Sequence, residues 1–183
     1  SRADSDWVYA LVESDTYAEK GGLFLSTNAG SSWSRVSGDH RLIQRAWYYI
    51  EVFPDPQNKE KVNVLNASYL QSKDAGKTWS RIDAYHGDYH DLWINPNNPN
   101  NMAVADDGGV SITFDGGENW TDQKNMPTAQ MYRVAVDDLW PYNLYAGQQD
   151  NSSVRIASLA LGSGGIDHRN WDSAAGGESA FLA

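Results

Sequence analysis

One short pattern recurs three times in this 183-residue chain and limits the fold more than any other feature. It reads STNAGSSW over Ser26 to Trp33, SKDAGKTW over Ser72 to Trp79, and TFDGGENW over Thr113 to Trp120. Each copy is a hydroxyl residue, any residue, Asp or Asn, any residue, Gly, two residues of any kind, and Trp. The tryptophans fall 46 and 41 residues apart. A period of forty-odd residues is that of an array in which each repeat is one supersecondary unit that buries its apolar faces against its neighbours.

The spacing has a mechanical reason. A short acceptor side chain at Asn28, Asp74 or Asp115 can hydrogen-bond the backbone of its own turn, and Gly30, Gly76 or Gly117 supplies a positive φ. The hydroxyl residues Ser26, Ser72 and Thr113 then lie on one strand leaving the turn. Trp33, Trp79 and Trp120 lie on the other, where an indole can cover the turn and pack on the next layer. Each copy is a hairpin corner.

Short apolar or alternating runs bounded by turn residues flank the corners, which is the strand signature. The second unit predicts strands over Trp47–Val52, Val62–Asn66, Tyr69–Ser72 and Trp79–Ile82. The third predicts His90–Ile94, Met102–Ala105, Val110–Thr113 and Trp120–Asp122, with PDPQN and NPNNPN as turns between the first and second strands. Trp7–Glu13 enters as a second strand with no first strand before it. The fourth unit begins at Met131–Val136 but carries no copy of the Trp-terminated pattern. Four short strands per repeat is the spacing of propeller blades. The expectation is an all-β fold, a partial β-propeller of about three and a half four-stranded antiparallel blades forming one domain over 1–183. The blades span about 1–40, 41–84, 85–125 and 126–183, and the remaining propeller blades or another chain complete the ring.

Composition narrows the partners. Fourteen basic against twenty-four acidic residues give a formal charge of −10, which repels phosphate backbones and anionic lipid. Nucleic acid is therefore excluded as an expected partner. Apolar runs such as Val8–Val12 are far too short to insert in a bilayer. With no cysteine, disulfide and thiolate chemistry are excluded, while the compartment stays open.

The segments GGLFLSTNAGSSW, HGDYHDLWINPNNPN, DDGGVSITFDGGENW and PYNLYAGQQDNSS resemble the Asp-box, or BNR-repeat, propellers of the sortilin and sialidase-like group. More narrowly they resemble large secreted bacterial proteins labelled glycosyl hydrolase or sortilin-like. The resemblance implies a secreted, periplasmic or cell-surface protein and leaves activity open, because a propeller carries enzymes and receptors alike.

Blade topology sorts the polar residues. His86, Asp88 and His90 precede or open an inner strand, while Asp106, Asp107, Gln148, Gln149, Asp150 and Asn151 occupy loops between second and third strands, so both sets are expected on one face. On a strand, His86, Asp88 and His90 would point to one side, a candidate set for a divalent cation, set against a structural role in bracing the loop. A glycosidase needs two carboxyl groups flanking the scissile bond, for which Asp88, Asp106, Asp107 and Asp150 are the candidates. His86, Tyr89, His90, Gln148, Gln149 and Asn151 are candidate ligand contacts, and Trp47, Tyr48, Tyr89 and Trp140 are candidate sugar platforms. Arg41, Arg45 and Arg133 lack the context of a sialidase arginine triad. The expected function is an extracellular binding or scaffold module presenting a polar face to a protein, peptide or glycan, with a carbohydrate-active hydrolase as the alternative.

Overall fold

The computed structural model describes residues 1–14, 20–124, 126, 128–162, 164–177 and 182. These residues form antiparallel meanders in which strands consecutive in sequence are neighbours in the sheet. The first sheet holds β1 (Val8–Val12), β2 (Gly22–Ser26) and β3 (Ser34–Ser37). The second holds β4 (Glu51–Pro54), β5 (Val62–Leu65), β6 (Tyr69–Ser72) and β7 (Ser80–Ile82). The third holds β8 (Tyr89–Ile94), β9 (Met102–Asp106) and β10 (Gly109–Thr113). The fourth holds β11 (Met131–Val136), β12 (Asn143–Gln148), β13 (Ser153–Ala157) and β14 (Trp171–Ser173). The chain divides into two compact units, Ser1–Asn125 with the first three sheets and Met126–Ala183 with the fourth.

In the first unit the core lies between sheets. Leu23, Leu25, Val62, Val64 and Leu70 fill the layer between the first and second sheets, joined by Leu42 and Ile43 of a short 3-10 turn. Leu65, Tyr69, Tyr89, Leu92, Met102 and Val104 fill the layer between the second and third. The second sheet is thus covered on both faces, and every residue of β5 and β6 is buried. Its buried polar groups are paired, as such burial requires. Asn63 Oδ1 accepts from Tyr69 Oη and Gln71 Nε2, each at 3.0 Å, while Asn63 Nδ2 donates to the Phe53 carbonyl at 3.1 Å.

The three Trp-terminated turns share one cage. In the second, Ser72 Oγ donates to Asp74 Oδ1 at 2.8 Å and accepts from Gly76 N–H at 2.8 Å. Asp74 also accepts from Lys77 N–H, Thr78 N–H and Thr78 Oγ1. The first and third copies repeat the pattern around Asn28 and Asp115. The bond from the Thr78 hydroxyl, with those from Thr78 N–H and Ser72, holds the Asp74 carboxyl at about 2. Asn119 does the same work for Asp115, which also sits below the usual carboxylate range. The indoles differ. Trp33 and Trp79 donate to the carbonyls of Gly30 and Gly76 at 3.1 and 3.0 Å, whereas the buried Trp120 Nε1 has no partner among the described residues.

Two strand expectations change. The strand expected over Trp47–Val52 starts instead at Glu51, because residues 40–48 coil through the 3-10 segment and a run of turns. Trp120–Asp122 forms no strand, since among the described residues a single backbone bond to β10 reaches it. Thr121 N–H donates to the Ile112 carbonyl at 3.0 Å, but Ile112 N–H is taken by the Thr121 hydroxyl at 2.9 Å.

A second repeat joins the first and second strands. Asp55 N–H donates to the Lys61 carbonyl at 2.9 Å, Asn95 N–H to Asn101 at 3.0 Å and Asp137 N–H to Asn143 at 3.3 Å. In each case the side chain accepts a backbone N–H two residues on, from Gln57, Asn97 and Leu139. Short acceptors favour such turns because they can bond their own backbone.

Candidate functional site

The residues before β8 and after β9 meet at the end of the sheets remote from the Trp-terminated turns. Asp88 sits at φ +57, a conformation Asp tolerates, and the kink lets the chain bridge two loops. Asp88 N–H donates to the Ala67 carbonyl at 3.3 Å, and its own carbonyl accepts from Asp107 N–H at 3.2 Å. Tyr89 N–H donates to Asn66 O at 2.9 Å. Asn66 itself is fully buried and its amide donates to the Arg41 and Leu42 carbonyls, tying the 3-10 segment to the same loop.

On this frame His90 Nε2 donates to Asp107 Oδ1 at 2.6 Å. The His90 ring lies on Tyr49, with centroids 4.3 Å apart and planes tilted 30°. Arg45 pairs with Asp88 at 2.9 Å, and Tyr49 Oη donates to the same carboxylate oxygen at 3.3 Å. Burial, and then the Asp88 charge, push the Tyr49 phenol up. Tyr48 meets Tyr49 edge-on at 5.0 Å, and Trp47 lies 5.9 Å from Tyr48. Trp47 is 78% exposed and Tyr48 63%. The result is a row of aromatic rings running from solvent to a pair of side-chain ion contacts.

Asp106, adjacent in sequence to Asp107, has a different role. Its buried carboxylate accepts from Gly108 N–H and Gly109 N–H at 2.9 and 3.0 Å and from Gln123 Nε2 at 2.8 Å. Burial raises its pKa against the lowering effect of these bonds. Gly108 permits the packing, because a Cβ there would stand 2.2 Å from Gln123 Oε1 and 2.8 Å from His86 Cγ. His86 Nδ1 faces the Gly87 carbonyl at 3.0 Å, which makes it the protonated nitrogen.

The candidates therefore separate. His90, Asp107 and Asp88 come together with the platform residues Trp47 and Tyr48. Tyr89, expected at the ligand face, is buried in the core and meets Tyr69 edge-on at 5.8 Å. Strand β8 begins at Tyr89, so the period-two alternation that would align His86, Asp88 and His90 does not extend to the first two. Among the described residues no group of three or more His, Asp, Glu or Cys side chains is placed to hold a metal ion. Arg41 is committed to Asp39, and Arg45 to Asp88. In the second unit Gln148, Gln149, Asp150 and Asn151 form one tight turn, with Gln148 N–H donating to Ser152 O at 2.8 Å and Gln149 N–H to Gln130 O at 2.8 Å. Trp140, in the same unit, is 84% exposed. Arg45, Tyr49 and Gln123 belong to the site region but carry no motif. The aromatic run Trp47-Tyr48-Tyr49, read as a loop rather than a strand, would have pointed to Arg45 and Tyr49.

No protein-family model matches the chain, and no curated protein matches it. Among solved structures it is similar to a GH74 enzyme from Niastella koreensis, at 14% identity and a TM-score of 0.52, over 85% of this chain and 27% of that one. The chain is a partial β-propeller. An ancestral GH74 enzyme aligns at 13% identity and a TM-score of 0.49, over 89% of this chain and 24% of that one. YCF48 from Cyanidioschyzon merolae aligns at 19% and 0.46, over 89% and 52%. The chain thus spans about a quarter of the GH74 enzymes' length. At these identities the likeness concerns the fold alone.

Proposed function

We propose that this chain is part of a larger secreted or cell-surface propeller of the Asp-box, sortilin-like group. In this reading its ring is completed by further blades or another chain, and it acts as a binding module whose ligand is a glycan. One observation carries the ligand assignment. Trp47 and Tyr48 present exposed rings beside Arg45, Asp88, His90 and Asp107, whose planar polar groups are already fixed by mutual contacts. Flat rings beside rigid donors and acceptors suit the apolar faces and hydroxyl edges of sugars. Pairing favours binding over catalysis, since each carboxylate of the group is already engaged by a side chain or backbone of the protein itself.

The hydrolase alternative draws on Asp106, whose raised pKa is a general-acid property. Against it stands the burial of that carboxyl behind Gln123, Gly108 and Gly109. Affinity electrophoresis through gels containing soluble polysaccharides tests the proposal. Retention of the 183-residue chain, abolished by Trp47→Ala, is expected. Equal mobility in every gel would overturn it, and hydrolysis of a glycan panel that stops in Asp106→Asn would favour the alternative. Detection of the protein only inside cells would remove the secreted part of the proposal.

A further inference from the structure

The edge of β1 opposite β2, which carries no strand among the described residues, has the backbone geometry of a strand with an inner neighbour. Ser1 N donates to the Trp7 carbonyl at 2.5 Å, as Asp55 donates to Lys61, Asn95 to Asn101 and Asp137 to Asn143, each six residues on. Ser1 Oγ accepts from Ala3 N–H at 3.2 Å, the bond that Asp55 and Asn95 make two residues on. Trp7 N–H donates to Asp4 O at 3.1 Å, matching Lys61 to Asn58 and Asn101 to Asn98. In the other three sheets that turn follows an inner strand, β4, β8 or β11. Antiparallel ladders alternate the side to which successive residues bond. With the Trp7 carbonyl turned to Ser1, the backbones of Tyr9 and Leu11 face the edge that carries no strand among the described residues. An open groove of ≈ 420 Å³ begins at Ser1 and Arg2, where the turn enters, and runs along the inner strands β4 and β8, lined by Val52, Phe53, Leu92, Trp93 and Ile94 among others.

We propose that this edge accepts one further antiparallel strand, supplied by polypeptide that runs directly into Ser1. The register follows from β4 on β5, where Pro54 opposes Val62 and Phe53 opposes Asn63. By the same spacing, the residue preceding Ser1 opposes Val8 and the one before it opposes Tyr9. The strand is about four residues long, the length of β4, and apolar on the side facing the groove. An edge of this kind, carrying no partner strand, is a template for strand addition.

The proposal rests on the reading that further polypeptide completes the ring, but not on the glycan assignment, which is measured on the same protein and can fail by itself. The test appends a copy of Met131–Val136 to Ser1 of the 183-residue chain and, in a second protein, a copy of Glu51–Pro54. A control carries the first copy with two interior prolines. Hydrogen exchange should slow roughly tenfold at Tyr9 and Leu11, while Val8, Ala10 and Val12, already paired with β2, stay unchanged. Protection at Val62 and Val64 reports that the fold is intact. Unchanged exchange at Tyr9 and Leu11 in both folded proteins, equal protection by the proline control, or protection by the free peptide but not by the appended one would each overturn the proposal.

Discussion

Carboxylates stand at both ends of the sheets of the first unit, and they are held by different means. At the Trp-terminated turns, Asp74 and Asp115 accept backbone N–H groups of their own turn together with a neighbouring hydroxyl or amide. At the opposite end, Asp88 and Asp107 are held by Arg45, Tyr49 and His90, side chains that can exchange a protein partner for a ligand. A backbone donor cannot leave without unfolding the turn, so the first kind of carboxylate is committed to the fold. The second kind is fixed in place but replaceable. Motif strength and functional interest therefore run in opposite directions along this chain.

Glycine substitutions at the turns test the structural half of that contrast most severely. Gly76 adopts φ +89, and a Cβ there would lie 2.5 Å from Leu23 Cδ2 and 3.2 Å from Val36 Cγ2. Gly30 has nearly the same φ, +88, but its nearest neighbour would be Trp33 at 3.8 Å. Gly76→Ala should cost about 3 kcal/mol, combining backbone strain with a core clash. Gly30→Ala should cost about 1 kcal/mol from strain alone. Urea unfolding of the two variants gives both numbers, and equal losses would show that the inter-sheet contact at Gly76 is irrelevant.

The sequence made the turns legible because their bonds are local. Hydroxyl, carboxylate, glycine and indole all act within eight residues, so spacing alone reveals them. Even there one position is not legible from the pattern. The residue before the glycine, free in the pattern, has φ +54 at Ala29, +60 at Ala75 and +79 at Gly116, so all three copies place it in left-handed backbone. The candidate site was legible only in part, because its contacts are long-range. His90 and Asp107 were found as chemical types, but the stacking of His90 on Tyr49 joins residues 41 apart, and Asp106 to Gln123 spans a strand and a turn. Tyr89 departs from the expected loop face because the chain kinks at Asp88, so the phenol enters the core.

A carboxylate held by its own turn and a buried one should also separate by pH. The depressed Asp74 pKa, about 2 against an unfolded value near 3.9, contributes stability that is full above about pH 4 and lost as pH falls through 2. Asp106 has the opposite sign. Its raised pKa means the fold is favoured by the protonated form, so stability is lost as pH rises from the unfolded value through the folded one. Asp74→Asn should therefore be less stable than wild type at pH 7, with the gap closing toward pH 2. Asp106→Asn should be at least as stable at pH 7. Its amide can donate to Gln123 Oε1, which is buried with no partner among the described residues while Nε2 is spent on the carboxylate, once the Gln123 amide rotates. Thermal melts from pH 2 to 7 check both, and slopes of the same sign in the two variants would refute the distinction.

The smallest effect on the fold is expected at Trp47, where the largest effect on ligand is proposed. An indole 78% exposed, touching chiefly Tyr48, gives up little buried surface when truncated, so Trp47→Ala should change stability by no more than about 0.5 kcal/mol. Tyr48→Ala removes a ring that also meets Tyr49 at 5.0 Å and His90 at 6.4 Å, so its loss should loosen the row as well as shorten it. If the aromatic row binds sugar, both variants lose retention in the polysaccharide gel while the melt of Trp47→Ala overlays that of wild type. If the row is merely bracing the 45–49 loop against β8, Trp47→Ala would instead melt early and the His90 to Asp107 contact would open, visible as changed chemical shifts of the His90 ring by NMR. Those two outcomes exclude one another, and they decide whether this end of the sheets is held for the sake of the fold or of what it meets.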